Sequence, residues 1–311
     1  MGNFWSLVQE TFPPTSKFGI DDIPDMTGKV VIVTGGNTGI GKETARVLLL
    51  KNARVYITSR DHKKGEYAAK ELLERTGKEV HVLRLDLASL KSVKAGAEYF
   101  LNQETKLHVL FNNAGVANCP VNLVTEDGYD LQFGTNVLGH FYFTKFLLPV
   151  LLSTAKSSPD GIARVVNTSS SAHHLSGLHF NTFKDSPARR EMSSARLYGQ
   201  SKTGNIVFAA ELTRRYGQQG IVSTALNPGG IRTELSRHSS NLFTMLVDVL
   251  LYDVSYGALT QLYAGTIPDG ASLNGKYLIP WARVGRPVAS TQDLQLGKEL
   301  WTWLEEQVQD V

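Results

Sequence analysis

Short apolar runs that alternate with helical stretches constrain this chain more than any other feature. Val30–Thr34 reads as a buried strand, and Gly39–Leu50 as a helix with Ile40, Val47 and Leu48 on one side. The alternation continues through Arg54–Thr58 (strand), His62–Arg75 (helix), Val80–Leu85 (strand), Leu90–Leu101 (helix) and Leu107–Phe111 (strand). Glu126–Leu152 then predicts a long helix, Arg164–Thr168 a strand, Leu197–Tyr216 a helix and Val222–Leu226 a strand, with a last short strand at Lys276–Ile279. Near-continuous apolar strands separated by helices require a mostly parallel sheet covered on both faces. Right-handed crossovers make this a single doubly wound α/β domain, with any ligand site at the C-terminal strand ends. The expected division is an N-terminal arm over 1–27, the domain over 28–285 and a helical tail over 286–311.

Composition removes several function classes. A net charge of +3 over 311 residues is too small to argue for nucleic acid as a partner. The single cysteine, Cys119, excludes an intramolecular disulfide framework and any Cys-cluster zinc site, and reads as a small semi-buried residue. The N-terminus lacks a basic n-region and a long apolar core, so it does not read as a secretory signal. Gly2 and Ser6 do fit the M-G-x-x-x-[ST] acylation pattern; otherwise Phe4, Trp5, Leu7 and Val8 form an arm that packs or frays. The longest apolar stretches, Phe146–Leu152 and Leu242–Tyr252, are interrupted by Pro149 and Asp248 and fall short of the ~20 residues that span a bilayer. A cytoplasmic chain without a transmembrane segment is expected, with peripheral membrane association as the alternative.

The first strand runs into Gly35-Gly36-Asn37-Thr38-Gly39-Ile40-Gly41 and a helix. Glycines there permit positive φ and close approach of a pyrophosphate, and the helix N-terminus offers free N–H groups. The expected cofactor contacts are Gly35, Asn37, Thr38, Gly39, Ile40 and Lys42. The second strand ends in Ser59-Arg60, where an NAD site usually carries a carboxylate; a guanidinium there grips a 2′-phosphate, which favours NADP over NAD. Asp86, after the third strand, is placed to accept from the adenine amino group or to cap the helix after Ser89. Asn113, in Asn112-Asn113-Ala114-Gly115, closes the fourth strand with small residues that leave room for the cofactor.

Tyr198 and Lys202 share one helix face at i and i+4. An ammonium beside a phenol stabilises the phenolate and makes proton exchange with an alcohol or carbonyl practical. Upstream, Asn167-Thr168-Ser169-Ser170-Ser171 is a hydroxyl cluster at a strand end, able to bond a substrate oxygen where charge develops. Asn136 is an amide within an apolar helical stretch, either a core amide or a link that holds a water against Lys202. Asn227-Pro228-Gly229-Gly230-Ile231-Arg232-Thr233 follows the sixth strand and could close over a carboxamide ring, which brings in Ile231 and Thr233.

Taken together, TGGNTGIG, NNAG, FGTN, the serine run, YGQSK and NPGGIRT resemble the short-chain dehydrogenase/reductase family over roughly Gly28 to Pro280. Each motif is weak alone; their common order is the specific signal. The resemblance implies a Rossmann fold with a seven-stranded sheet in the order 3-2-1-4-5-6-7 and a catalytic tetrad of Asn136, Ser170, Tyr198 and Lys202. It places the catalytic hydroxyl at Ser170, with Ser171 as the fallback, and assigns Lys202 to the nicotinamide ribose and Thr233 to the carboxamide. The stretch from Ser170 to Tyr198 is longer than usual in the family. Its His173-His174-Leu175 and His179-Phe180 look like the longer loop of the retinol dehydrogenase and WW-domain oxidoreductase branch, which mostly favours NADP. With no H-E-x-x-H or matched carboxylate, these histidines read as loop residues at the pocket mouth, and no metal is expected.

The resulting expectation is an NADP(H)-dependent enzyme that interconverts an alcohol with a ketone or aldehyde. Leu242, Phe243, Leu246, Val249 and Leu250 recur at helical spacing within a substrate lid around 233–256, so a bulky apolar substrate is expected: a terpenoid, retinoid, polyketide or lipid aldehyde. The terminal strings look like those of fungal members, some of which serve secondary metabolism. Two other readings stay open: a catalytically idle nucleotide-binding regulator, and a lipid or retinoid reductase at a membrane surface. A homodimer through the two longest helices is possible, though their apolar faces are equally good core.

Overall fold

The computed structural model describes residues 2–231 and 251–311, with the backbone alone for residues 2–5. The strands are β1 (Val30–Val33), β2 (Arg54–Ser59), β3 (His81–Arg84), β4 (Val109–Asn112), β5 (Ala163–Thr168), β6 (Ile221–Leu226), β7 (Tyr277–Ile279) and β8 (Arg283–Gly285). They form one eight-stranded sheet in the order β3-β2-β1-β4-β5-β6-β7-β8. Every pairing is parallel except β7 with β8, a short antiparallel return that the sequence does not announce. Arg283–Gly285 carries one apolar side chain, Val284, and it is exposed, so no buried run marks the strand.

Alternate residues of the central strands serve opposite layers. Val31, Val33, Val109 and Phe111 pack with Leu48, Leu72 and Leu262, beneath helices α2 (Gly39–Leu50) and α3 (His62–Thr76). Ile32 and Leu110 face the other layer with Val93, Phe133, Phe141 and Val207, beneath α4 (Leu90–Gln103), α5 (Leu131–Ser157) and α6 (Ser194–Tyr216). The sheet order reverses between β1 and β4, which opens the crevice at their C-terminal ends where a ligand binds in such folds.

Helix α5 starts at Leu131, later than Glu126, because Thr125 to Asp130 forms a tight loop in which Thr125 N bonds Tyr129 O. Asp130 Oδ1 then caps the helix by accepting from Gln132 N and Phe133 N. By length and composition Leu131–Ser157 is apolar enough to cross a membrane, but most of it is buried inside the protein as the central helix of this layer. The C-terminal helix α8 (Leu294–Gln307) follows α7 (Val254–Thr266) in the chain and lies across α5 and α6. Trp301 packs edge-on to Phe141 at 5.2 Å and beneath the Arg215 guanidinium, and Trp303 meets Phe183 at 4.9 Å. The apolar faces considered for pairing two copies are therefore covered here, at least in part, by the chain's own C-terminus.

Candidate active site

At the dinucleotide end, β1 passes into a turn that tolerates only glycine at two points. Gly35 has φ +64°, and an added Cβ would lie 3.0 Å from Ala114 Cα. A Cβ on Gly41 would lie 2.5 Å from both Asn113 Nδ2 and Gly35 O. Thr38, the N-cap of α2, makes no side-chain cap bond, so the first-turn N–H groups of a twelve-residue helix are left for an anion. Asn37, Thr38, Gly39 and Ile40 are all half-buried beside them. Asn113 is spent on the scaffold: its Nδ2 donates to Thr34 O at 2.8 Å, and the N–H groups of Asn113 and Ala114 both donate to Thr34 Oγ1. An uncapped helix start above two obligatory glycines fits a diphosphate.

The charged residues of this end separate. Arg60 is exposed at the end of β2 and ion-pairs with no described residue. Lys42 is already held by Glu71 of α3 at 2.9 Å, so it is less free than the sequence implied. Asp61 is occupied as the α3 N-cap, accepting from Lys64 N. Asp86 does not cap α4: its Oδ1 accepts from Ala88 N at 3.0 Å, while Leu90 N turns to Asp127 Oδ2. Ile231 is half-buried and bridges to Tyr252; Thr233 and most of the 233–256 lid lie outside the described residues.

At the chemical end, α6 starts at Ser194, and the Ser193 hydroxyl accepts from Arg196 N to cap it. Lys202 is 4% exposed, and its Nζ donates to Thr168 O at 2.9 Å while lying 5.6 Å from the Tyr198 ring centroid. The three serines part ways. Ser169 is buried and donates to Lys202 O at 2.7 Å, Ser171 opens a 3-10 turn, and Ser170 hydrogen-bonds the Tyr198 hydroxyl. Asn136 is 0% exposed; its Oδ1 accepts from Val116 N, and its Nδ2 donates to Val116 O and Ser201 Oγ. It sits in a π-helical turn, Gly134–Leu138, a wide turn of a kind often found at functional sites. A Cβ on Gly115 would come 3.2 Å from Asn136 Oδ1 and 3.5 Å from Lys202 Nζ, so the glycine keeps this junction open.

The electrostatics differ from the sequence expectation. Burial pushes the Tyr198 phenol up to about 12, opposed only by the Ser170 hydrogen bond, and lowers Lys202 to about 8. Lys202 is turned toward the Thr168 carbonyl and does not draw Tyr198 toward its phenolate. The pocket thus holds a protonated phenol, with a hydroxyl and an amine beside it. One supporting residue escaped the sequence reading. His140, held neutral by burial at about 4, donates from Nδ1 to Asn136 O at 3.0 Å and accepts at Nε2 from Thr34 Oγ1 at 2.9 Å. It links the glycine-rich turn to the π-helical turn, and its only sequence trace is a histidine four residues after Asn136.

The family model for short chain dehydrogenases matches residues 29–241. The chain belongs to the short-chain dehydrogenase/reductase family. It is 56% identical over 310 residues to a short-chain dehydrogenase/reductase of Armillaria gallica, with both chains covered in full. It is 42% identical over 282 residues to retinol dehydrogenase 12 of Mus musculus, covering 88% of this chain and 86% of that one. Among solved structures, an uncharacterised protein from Mycobacterium paratuberculosis superposes with a TM-score of 0.74 at 30% identity, covering 94% and 98% of the two chains. The enzyme is an oxidoreductase of the retinol dehydrogenase-like branch.

The insert of this short-chain dehydrogenase/reductase is not a loose mouth. His173 is buried, and His174 nearly so, where the sequence placed them as lining residues; only His179 is exposed. Glu10, from the far N-terminus, brings a carboxylate within 4.8 Å of ring nitrogens of both. Their geometry is that of a hydrogen-bond cluster, because both ring nitrogens of His173 are taken: Nδ1 donates to Ser170 O at 2.7 Å and Nε2 accepts from Val288 N at 3.3 Å. Cys119 is buried, and burial raises its thiol, as suits a small packing residue.

Proposed function

We propose that this short-chain dehydrogenase/reductase is an NADP(H)-dependent enzyme interconverting an alcohol and a ketone or aldehyde on a bulky apolar molecule. The observation that carries the reading is the meeting of the Ser170 and Tyr198 hydroxyls beside the buried Lys202 amine at the C-terminal edge of the sheet. Nicotinamide, when bound, supplies or accepts the hydride. Tyr198, held protonated, gives its hydroxyl proton to the developing alkoxide, and Ser170 bonds the same oxygen and orients it. Lys202 contributes positive charge to the pocket and would hold the nicotinamide ribose of a bound cofactor. Asn136 braces Val116 and Ser201 so that this geometry persists. The uncapped start of α2 would hold the diphosphate, with Ile231 at the carboxamide and Asp86 and Asn113 lining the adenine side.

Two features support the finer assignments. Arg60, exposed at the end of β2, ion-pairs with no described residue while Asp61 is engaged as a cap, which favours the extra phosphate of NADP. Tyr252, Tyr256 and Trp281 pack as an aromatic trio in edge-on and tilted contacts, with ring centroids 4.9–5.8 Å apart, beside the Asn227–Gly230 turn. This is a wall suited to an apolar substrate, and relatives named retinol dehydrogenases point the same way. Secondary metabolism is the setting proposed for such a substrate. Arg60→Ala is expected to raise KM for NADPH about tenfold while leaving KM for NADH unchanged, because two charge-assisted bonds to the 2′-phosphate are lost. Initial rates with each cofactor against one apolar ketone check this; an equal effect on both cofactors would place Arg60 outside the ribose site.

A further inference from the structure

Lys202 does not have the Thr168 carbonyl to itself. That oxygen accepts from Lys202 Nζ at 2.9 Å and from Asn205 Nδ2 at 3.0 Å. Asn205 stands three residues beyond Lys202 on the same face of α6, and it is 5% exposed. A carbonyl only accepts, so the amide is oriented with its N–H group toward Thr168. Two donors on one carbonyl oxygen lie about 4–5 Å apart, which brings the positive end of the amide dipole alongside the ammonium. Both features loosen the charge: the acceptor is divided, and the adjacent dipole opposes a cation.

Among the described residues, no ionised group bonds Lys202, and Thr168 O is the one acceptor of its Nζ. The titratable groups that face it are Tyr198 on its own helix and His140 on α5, and neither is charged near neutrality. His173, in the turn packed against α6, is also neutral. Glu10, the buried carboxylate of the N-terminal helix α1 (Gly2–Thr11), is spent on Asn227, Tyr277, Ser6 and His174.

We propose that Asn205 is a positioning residue for Lys202: by sharing the Thr168 carbonyl, its amide weakens the one bond that anchors the ammonium and so sets how readily Lys202 gives up its proton. The proposal rests on the reading that reduction needs Lys202 in its protonated form. Asn205 acts through the shared acceptor. Taking its donor away leaves the carbonyl wholly to Lys202, and a charge-assisted bond to an undivided acceptor favours the charged amine.

The test is the pH dependence of kcat/KM for carbonyl reduction by NADPH, read beside carbon-13 NMR of ε-labelled lysine, with the Lys202 signal assigned by its loss in Lys202→Arg. Asn205→Leu removes the competing donor at similar size and should move both midpoints up by about half a pH unit. Asn205→Asp sets an acceptor beside the ammonium and should move them up by about one unit or more. At pH 9 the aspartate variant should keep about half of its neutral-pH kcat/KM, where wild type keeps about a tenth. A merely structural role predicts a uniform loss of activity with both midpoints unmoved. An NMR midpoint that stays or falls in either variant overturns the proposal; if Asn205→Leu does not fold, Asn205→Ala takes its place with the same expectation. If the NMR midpoints rise and the kcat/KM profile does not follow, Asn205 governs Lys202 as proposed and the reading of Lys202 in reduction has failed instead, which is a separate outcome.

Discussion

Tyr198→Phe is expected to lower kcat for carbonyl reduction by about 10³-fold while NADPH still binds, since positioned general acids contribute roughly 10²–10⁴-fold. The substitution removes one oxygen and keeps the ring that stands 5.6 Å from Lys202 Nζ. Ser170 and the buried ammonium remain, so the loss isolates the proton donor. Steady-state NADPH oxidation gives kcat, and NADPH fluorescence titration gives Kd. The wild-type pH profile follows from the same two groups. For reduction, the protonated forms of Tyr198 and Lys202 are the useful ones, so raising the pH can only remove activity. Tyr198, at about 12, stays protonated throughout the usual range, while Lys202, at about 8, does not. The kcat/KM profile, which reports the free enzyme, should therefore be flat near neutrality and fall as pH rises past about 8.

Arg189→Met is expected to destabilise the fold by about 3–5 kcal/mol, the cost of stranding a buried charge. Arg189 is 0% exposed and serves the insert between Ser170 and Tyr198 as its anchor. Its Nε meets Asp130 Oδ2 at 3.1 Å, Nη1 meets Asp185 at 2.8 Å, and Nη2 donates to the carbonyls of Val121 and Leu123. Methionine fills similar volume but leaves a buried carboxylate and two carbonyls without their donor. Burial already raises the Asp130 carboxyl against the lowering pull of Arg189 and of the cap bonds. Without the guanidinium it rises further, and a carboxyl raised above its unfolded value costs stability at higher pH. The deficit measured by urea unfolding should therefore be larger at pH 8 than at pH 5, and Arg189→Met/Asp130→Asn should recover part of it. A deficit under 1 kcal/mol would show that the insert is held by its aromatic packing.

How much of this was legible in the sequence depended on how local the signal was. Val30–Val33 and Gly39–Leu50 are readable because apolar continuity and a glycine turn lie within one window, and both elements fall where that pattern puts them. Leu131 was missed as the start of α5 because Asp130 caps it from inside an apolar-looking stretch. Strand β8 escaped because only one of its three residues is apolar, and that one is exposed. In the site, Tyr198 and Lys202 were legible through their spacing on one helix. Glu10 was not: nothing in GNFWSLVQET shows that its glutamate meets Asn227 and Tyr277, more than two hundred residues away, and only the folded sheet brings them together. The protonation of Tyr198 was also out of reach, because burial rather than the neighbouring amine sets it.

The most direct test of the central claim is transfer of deuterium from NADPH labelled at the nicotinamide C4 to an apolar ketone or aldehyde, followed by mass spectrometry of the product. A hydride-transferring site built on Tyr198, Ser170 and Lys202 predicts an alcohol carrying one deuterium on the former carbonyl carbon. Tight NADPH binding with no deuterated alcohol across a panel of apolar carbonyl compounds would contradict it and leave a chain that binds the nucleotide without using it.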